Sequence, residues 1–224
     1  MSDERYTASR TALRTAGIMV VFTLVFTALM AATYRLTAPS IAEAVQTHKM
    51  RLIHDILPPG SYDNDLLADF VELGPTPELG LDRGGQVYRA RLSGAPAALV
   101  LDVVAPDGYA GRIALAVAVG NEGQMSGVRV TEHGETPGLG DYIDPAKDRN
   151  RASPWIDQFE GASFDRVPPS DWRVRKDGGS FDYRVGATIS ARAVTDATRR
   201  ALEWATTHRD ALFDAPAGSR LELE

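Results

Sequence analysis

The sequence predicts an α+β protein: a single N-terminal transmembrane helix followed by one domain built on a largely antiparallel sheet. Three observations predict it. An uncharged stretch of 20 residues lies between Arg14 and Arg35, four strand-like runs succeed one another between residues 86 and 132, and one long helical pattern closes the domain. Strands that follow each other without intervening helices pair as antiparallel neighbours, which leaves the helices at the two ends of the domain.

The uncharged stretch would span about 30 Å as a helix, the thickness of a hydrocarbon core. A cleaved signal peptide has a shorter apolar region, about 7 to 15 residues, and a small-x-small cleavage site. Here the run is longer and Tyr34-Arg35 closes it like an interfacial anchor, so the segment is expected to remain as an anchor in membrane lipid. Arg5, Arg10 and Arg14 precede it, and only Arg35 follows closely before Lys49 and Arg51. That bias places the N-terminus in the cytoplasm and the rest of the chain outside it. The expected organisation is a tail over 1–15, a transmembrane helix over 16–35, a membrane-proximal helix over 36–60, an outer domain over 61–213 and a tail over 214–224.

The membrane-proximal helix is read from Ile41, Val45, Met50, Ile53 and Leu57 at helical intervals, ended by Pro58-Pro59-Gly60. Residues 61–85, rich in Asp, Gly and Pro, give no assignable element. Strands are expected over 86–92, 97–104, 112–119 and 128–132, separated by turns that contain glycine or proline. The second and third are nearly continuous apolar runs, the pattern of central strands covered on both faces. Ser153-Pro154 before Trp155, Ile156 and Phe159 reads as a short capped helix with proline at its first position. Trp155, Phe159 and Trp172 read as core residues rather than as stacking platforms for a ligand.

From Asp182 a strand-like run breaks at Gly186-Ala187 and leaves a lone hydroxyl, Thr188, before a long helix. Ser190 is the expected N-cap, and Val194, Ala197, Ala201, Ala205 and Leu212 keep helical spacing down to Phe213. Thr188 would then stand two residues outside the helix, where unpaired amides and the positive end of the dipole favour an anion.

Composition removes several classes of function. The chain has 224 residues, 44% hydrophobic and 24% charged, an ordinary globular balance. Its zero cysteines exclude disulfides, thiolate-bound zinc and cysteine-ligated iron-sulfur clusters. The four histidines, His48, His54, His133 and His208, show no ligand spacing, and no metal is assigned. After the first 15 residues, 21 basic side chains face 28 acidic ones, and so acidic a body is a poor nucleic-acid binder. No nucleic-acid partner is expected.

Two separated strings carry a family resemblance: His133-Gly-Glu-Thr-Pro-Gly-Leu-Gly-Asp141, and Trp172 through Asp182 followed by Val-Gly-Ala-Thr-Ile-Ser. Here the chain resembles the FMN-binding domain family, most closely the G-type branch found in Rnf electron-transport complexes, over roughly residues 10–210. In that family an Asp-x-x-(Ser/Thr)-Gly-Ala-Thr signature carries FMN joined through its phosphate to the threonine. The resemblance implies an ester on Thr188, a similar fold, partner subunits of a membrane complex and a flavin transferase for maturation. It also implies a bacterial inner-membrane protein with its flavin domain in the periplasm. Val185 departs from the signature, standing where the family has Ser or Thr.

Gly186 and Ala187 are expected to keep the approach to Thr188 open, with Ile189 and Ser190 beside it, and Asp182 to order the turn or be recognised by the transferase. Gly134, Gly138 and Gly140 tighten the upstream loop and Pro137 fixes one of its turn angles. With the resemblance, Glu135 and Thr136 are expected to meet the ribityl chain or ring edge, Leu139 to pack on the flavin face and Lys176 to steady the phosphate. The function implied is electron relay in a membrane complex that couples ferredoxin and NAD electron transfer to ion movement. No dinucleotide fingerprint is present, so NAD itself is not bound here. The alternatives are the flavin-bearing C component of the sodium-pumping quinone reductase and a membrane-anchored, non-redox scaffold. A hydrolase is disfavoured, because no histidine lies in a local nucleophile motif.

Overall fold

A computed structural model describes residues 3–58 and 60–221. Pro59 and the side chains of Val45 and His48, all named above, lie outside the described residues. The chain divides into two compact units, Met1–His48 and Lys49–Glu224.

The first unit is helical, the larger part of α1 (Asp3–Ile56). Ala8–Ile41 is long and apolar enough to cross a membrane, and none of its most apolar window is buried in protein. Three of its hydroxyls are satisfied within the helix: Thr23, Thr33 and Thr37 donate to the carbonyls four residues back at 2.8, 2.9 and 2.9 Å. That pairing removes the cost of polar groups facing hydrocarbon. The boundary expected at residue 35 is not marked by a break, because α1 runs on through Pro39.

The second unit is organised by a six-stranded sheet in the order β5-β4-β3-β2-β1-β6. The strands are β1 (Phe70–Leu73), β2 (Gly85–Leu92), β3 (Ala95–Gly108), β4 (Gly111–Gly120), β5 (Met125–Glu132) and β6 (Arg220–Leu221). Every neighbouring pair is antiparallel except β1 and β6. The four expected strands are present. β1 and β6 are additional, one in the unassigned 61–85 segment and one in the expected tail, and each is too short for period-two alternation to show.

Alternation along β3 and β4 sorts the core into two layers. Leu99, Leu101, Val103, Ile113, Leu115 and Val117 share one cluster with α2 (Thr188–Asp214) and the aromatic residues of the 150–181 segment. Val100, Ala116 and Ala118 point the other way and pack with Ile53, Ile56, Leu57 and Leu66. Both faces are covered, which is why these strands read as apolar throughout. The side of α2 turned to the core is largely alanine, Ala191, Ala197, Ala201 and Ala205, so the helix lies close on the sheet.

The far end of α2 is capped from the sheet. Arg89, 2% exposed, donates to the carbonyl of Leu212 at 2.8 Å, and Arg91 donates to that of Phe213 at 2.9 Å. Asp69 pairs with both guanidinium groups, at 2.5 and 2.9 Å. Carbonyls left over at a helix C-terminus thereby find charged donors.

Two local expectations need correction. The 155–159 segment is a 3-10 turn whose preceding residue is Pro154, and no side chain caps it. The donor at its start, the Trp155 N–H, is taken by the buried carboxylate of Asp148 at 2.8 Å rather than by Ser153. Residues 182–186 form no strand: Phe181 makes an isolated bridge to Val174 and the chain then turns.

Candidate functional site

The N-terminus of α2, the loop over 133–141 and the tip of the β3–β4 hairpin meet around a cleft of about 240 Å³. Its walls are Tyr109, Glu135, Thr136, Leu139, Gly140, Gly186, Ala187, Thr188, Ile189 and Ser190.

The helix begins earlier than its sequence suggests. Thr188 is the first residue of α2, and Ala187 occupies the cap position, with φ −137° and ψ 41°. Thr188 is therefore inside the first turn rather than two residues before it. Ser190 is not the N-cap: it is fully buried, and its hydroxyl donates to Glu135 Oε2 in a very short contact. No side chain caps α2 and no acidic residue lies in its first turn. Its leading N–H groups are left without the usual side-chain partner.

The turn into the helix is held from below. The Ala187 N–H donates to the Arg184 carbonyl at 3.1 Å, and Gly186 sits at φ +92°, a conformation a β-carbon resists. Nothing lies within 4 Å of where a Gly186 β-carbon would go, so the demand for glycine comes from the backbone, not from crowding. Tyr142 bridges the turn: its hydroxyl donates to the Ala187 carbonyl at 3.2 Å and accepts from the Arg184 N–H at 3.3 Å. Burial pushes this phenol up to about 12. Arg184 lies 4.8 Å from the centre of the Tyr142 ring and pairs with Asp148. Burial pushes the Asp148 carboxyl up, but N–H groups of Trp155 and Asn150, together with Arg184, outweigh it and hold the carboxyl below its ordinary value.

Glu135 ties the other two elements together. It is 4% exposed; Oε1 accepts the Ala110 N–H from the hairpin tip at 3.0 Å, and Oε2 takes the Ser190 hydroxyl. Gly140 makes room for this. A β-carbon there would stand 2.7 Å from both Glu135 Oε2 and Ser190 Oγ. The loop is closed by the Gly138 N–H donating to Asp141 Oδ1 at 2.8 Å, with Gly138 at φ +76°.

Most of the site residues expected from sequence line this cleft. Three do not. Gly138 shapes the loop without lining the walls. Lys176 lies on a separate 3-10 turn, Arg175–Asp177, and does not reach the cleft, because that turn is fastened elsewhere through the Asp177–Arg192 ion pair. Asp182 is also outside the walls: its side chain pairs with Arg175 at 2.8 Å, and its backbone is anchored by Gln158 and Trp155. Sequence reasoning missed Tyr109 and the spacer role of Gly140. The available signal for Tyr109 was the Gly-Tyr-Ala-Gly string between two apolar runs, a hairpin tip by composition.

Residues 108–203 match the family model of the FMN-binding domain, and residues 1–56 match that of the RnfG N-terminal region. The chain is 43% identical over 204 residues to the G subunit of the ion-translocating oxidoreductase complex of Pseudomonas aeruginosa strain UCBPP-PA14, covering 91% of this chain and 93% of that one. It is 41% identical over 207 residues to the corresponding protein of Vibrio cholerae O395, covering 92% and 96%. With its counterpart from Shewanella loihica it shares 36% over 215 residues, covering 96% and 99%.

Proposed function

The chain belongs to the G-subunit family of ion-translocating oxidoreductase complexes, an electron-transport family with an FMN-binding domain, and we propose that Thr188 carries the FMN as a phosphoester. The observation that carries the proposal is the bare start of α2. A threonine hydroxyl stands in its first turn, with no side-chain cap and no acid in that turn, at the edge of an open cleft. A phosphate diester keeps one negative charge, and helix amides together with the dipole favour an anion there.

The residues fit the group in further respects. Leu139 and Ile189, 55% and 44% exposed, offer apolar surface to a ring, and Thr136 adds a hydroxyl at the rim. A cleft of about 240 Å³ is below the roughly 300–1,000 Å³ of pockets that enclose most of a ligand, so a tether rather than enclosure would provide retention. Bound FMN supplies the reversible redox chemistry, and the protein orients it and sets its surroundings. Thr188 supplies the tethering oxygen, while Glu135 and Ser190 spend their polar groups on each other and keep the cleft walls in place.

In this reading the chain carries electrons and is not catalytic alone. It works with the other proteins of the complex and needs a flavin transferase to form the ester. The arginines before the apolar span support an N-terminus in the cytoplasm, an anchor in the inner membrane and a periplasmic flavin domain. Mass spectrometry of the Thr188-bearing peptide, from cells that express the transferase, tests the attachment. The expected peptide carries the added mass of FMN, and a Thr188→Val chain carries none. An unmodified Thr188 peptide, or flavin retained covalently by Thr188→Val, would refute the site.

A further inference from the structure

We propose that the buried charge of Glu135 holds down the reduction potential of the flavin, a role resting on the reading of the cleft as the FMN site. Glu135 is the one charged side chain among the described residues that line the cleft. It is 4% exposed, and no ion pair among the described residues involves it. Each of its oxygens accepts one hydrogen bond, Oε1 from the Ala110 N–H at 3.0 Å and Oε2 from the Ser190 hydroxyl, the donor set that suits an ionised carboxylate. His133, two residues earlier, brings no cation: its Nδ1 accepts the Glu135 N–H at 3.2 Å, which a doubly protonated ring could not do. Buried charges are ordinarily paired. The neighbouring acids follow that rule, Asp148 with Arg184 and Asp182 with Arg175, and Glu135 does not.

The place of this charge is fixed relative to the tether. Its Oε2 meets Ser190 in the first turn of α2, the turn that Thr188 opens, and the hairpin tip holds the other oxygen. Burial weakens the screening of its field by water and salt. Above neutral pH, two-electron reduction of a flavin takes up one proton and leaves the ring with one more negative charge than before. A fixed anion nearby opposes that gain and favours the oxidised form. The positive end of α2 is the natural counterweight, and a phosphate diester on Thr188 claims it. The carboxylate is left to act on the ring without a compensating cation in the cleft walls.

The test uses the full chain in detergent, coexpressed with a flavin transferase, and measures the midpoint potential by spectroelectrochemical titration at mildly alkaline pH and equal flavin content. Glu135→Gln keeps the shape and removes the charge, since its carbonyl oxygen can accept the Ala110 N–H and its amide can donate to Ser190 Oγ. Its midpoint potential should rise, read as severalfold more reduced flavin at a fixed applied potential. Ser190→Ala loosens the same contact and keeps the carboxylate, so its melting temperature should fall while its potential does not rise. Thr136→Lys puts a cation on the exposed rim and leaves the backbone bonds of the loop in place, so it should raise the potential as Glu135→Gln does. An unchanged potential in Glu135→Gln, or an equal rise in Ser190→Ala, would overturn the assignment while leaving the Thr188 tether standing. Should Glu135→Gln not fold, an unchanged potential in Thr136→Lys would overturn it instead. A chain that never acquires covalent flavin would bring down the tether, and this inference with it.

Discussion

Replacing Gly140 by alanine should loosen the first turn of α2 although the change adds one methyl group. The added carbon would stand 2.7 Å from Glu135 Oε2 and 2.7 Å from Ser190 Oγ, distances that real β-carbons do not adopt, and at a tight 3.2 Å from Glu135 Cβ. Neither neighbour can retreat freely, because Ser190 is fully buried and the far carboxylate oxygen is held by the Ala110 N–H. Overpacking of this kind costs about 1–3 kcal/mol. Breaking the Glu135–Ser190 hydrogen bond in a buried site adds about 1–3 kcal/mol. A total of about 2–6 kcal/mol corresponds to a fall of roughly 4–24 °C in melting temperature for a unit of this size. Thermal unfolding of the full chain in detergent, followed by tryptophan emission, measures it. Adding Ser190→Ala to Gly140→Ala removes one of the two clashing atoms, so the double variant should lose less than the sum of the singles. A Gly140→Ala chain melting within about 0.5 kcal/mol of the unsubstituted one would refute the packing argument.

Three further outcomes follow from the same site. Gly186→Ala should cost about 1–2 kcal/mol through its φ of +92° alone, since no atom crowds the position, and denaturant titration with an unchanged m-value checks that. The Asp148 carboxyl is depressed in the folded chain, so its contribution is present above the unfolded carboxylate value and is lost as pH falls through the folded one. Asp148→Asn should therefore be less stable at neutral pH and should flatten the acid limb of the stability profile. The Tyr142 phenol is raised, so its contribution is complete below its ordinary value of 10.0 and disappears as pH rises toward about 12. Tyr142→Phe should remove that alkaline loss, read as a flatter melting-temperature profile between those two values.

The parts of the fold that were legible in the sequence are those with a local cause. Leu99 to Val104, apolar but for Asp102, and Ile113 to Val119 read as central strands, because nearly continuous apolar runs suit a place between two covering layers. β1 and β6 were not legible: β6 is two residues long and exists because Gly218 and Ser219 dock on β1, through hydrogen bonds of 2.7 and 2.9 Å. The start of α2 was misjudged by three residues for a related reason. A serine followed by a helical pattern reads as a cap, but Glu135, 55 positions away in the chain, claims its hydroxyl.

By itself the sequence determined the apolar N-terminal span, the sheet-forming runs, the nearness of Thr188 to the start of a long helix and the family to which the chain belongs. These rest on composition, periodicity and strings of neighbouring residues, which folding does not alter. Only the tertiary structure decided which residues share the cleft. It brought in Tyr109 from a hairpin tip, set Lys176 and Asp182 aside, and gave Gly140 its purpose as the gap into which one buried carboxylate and one hydroxyl fit. Such assignments depend on contacts between segments distant in the chain, and those contacts come into being when the sheet and α2 close on a common core.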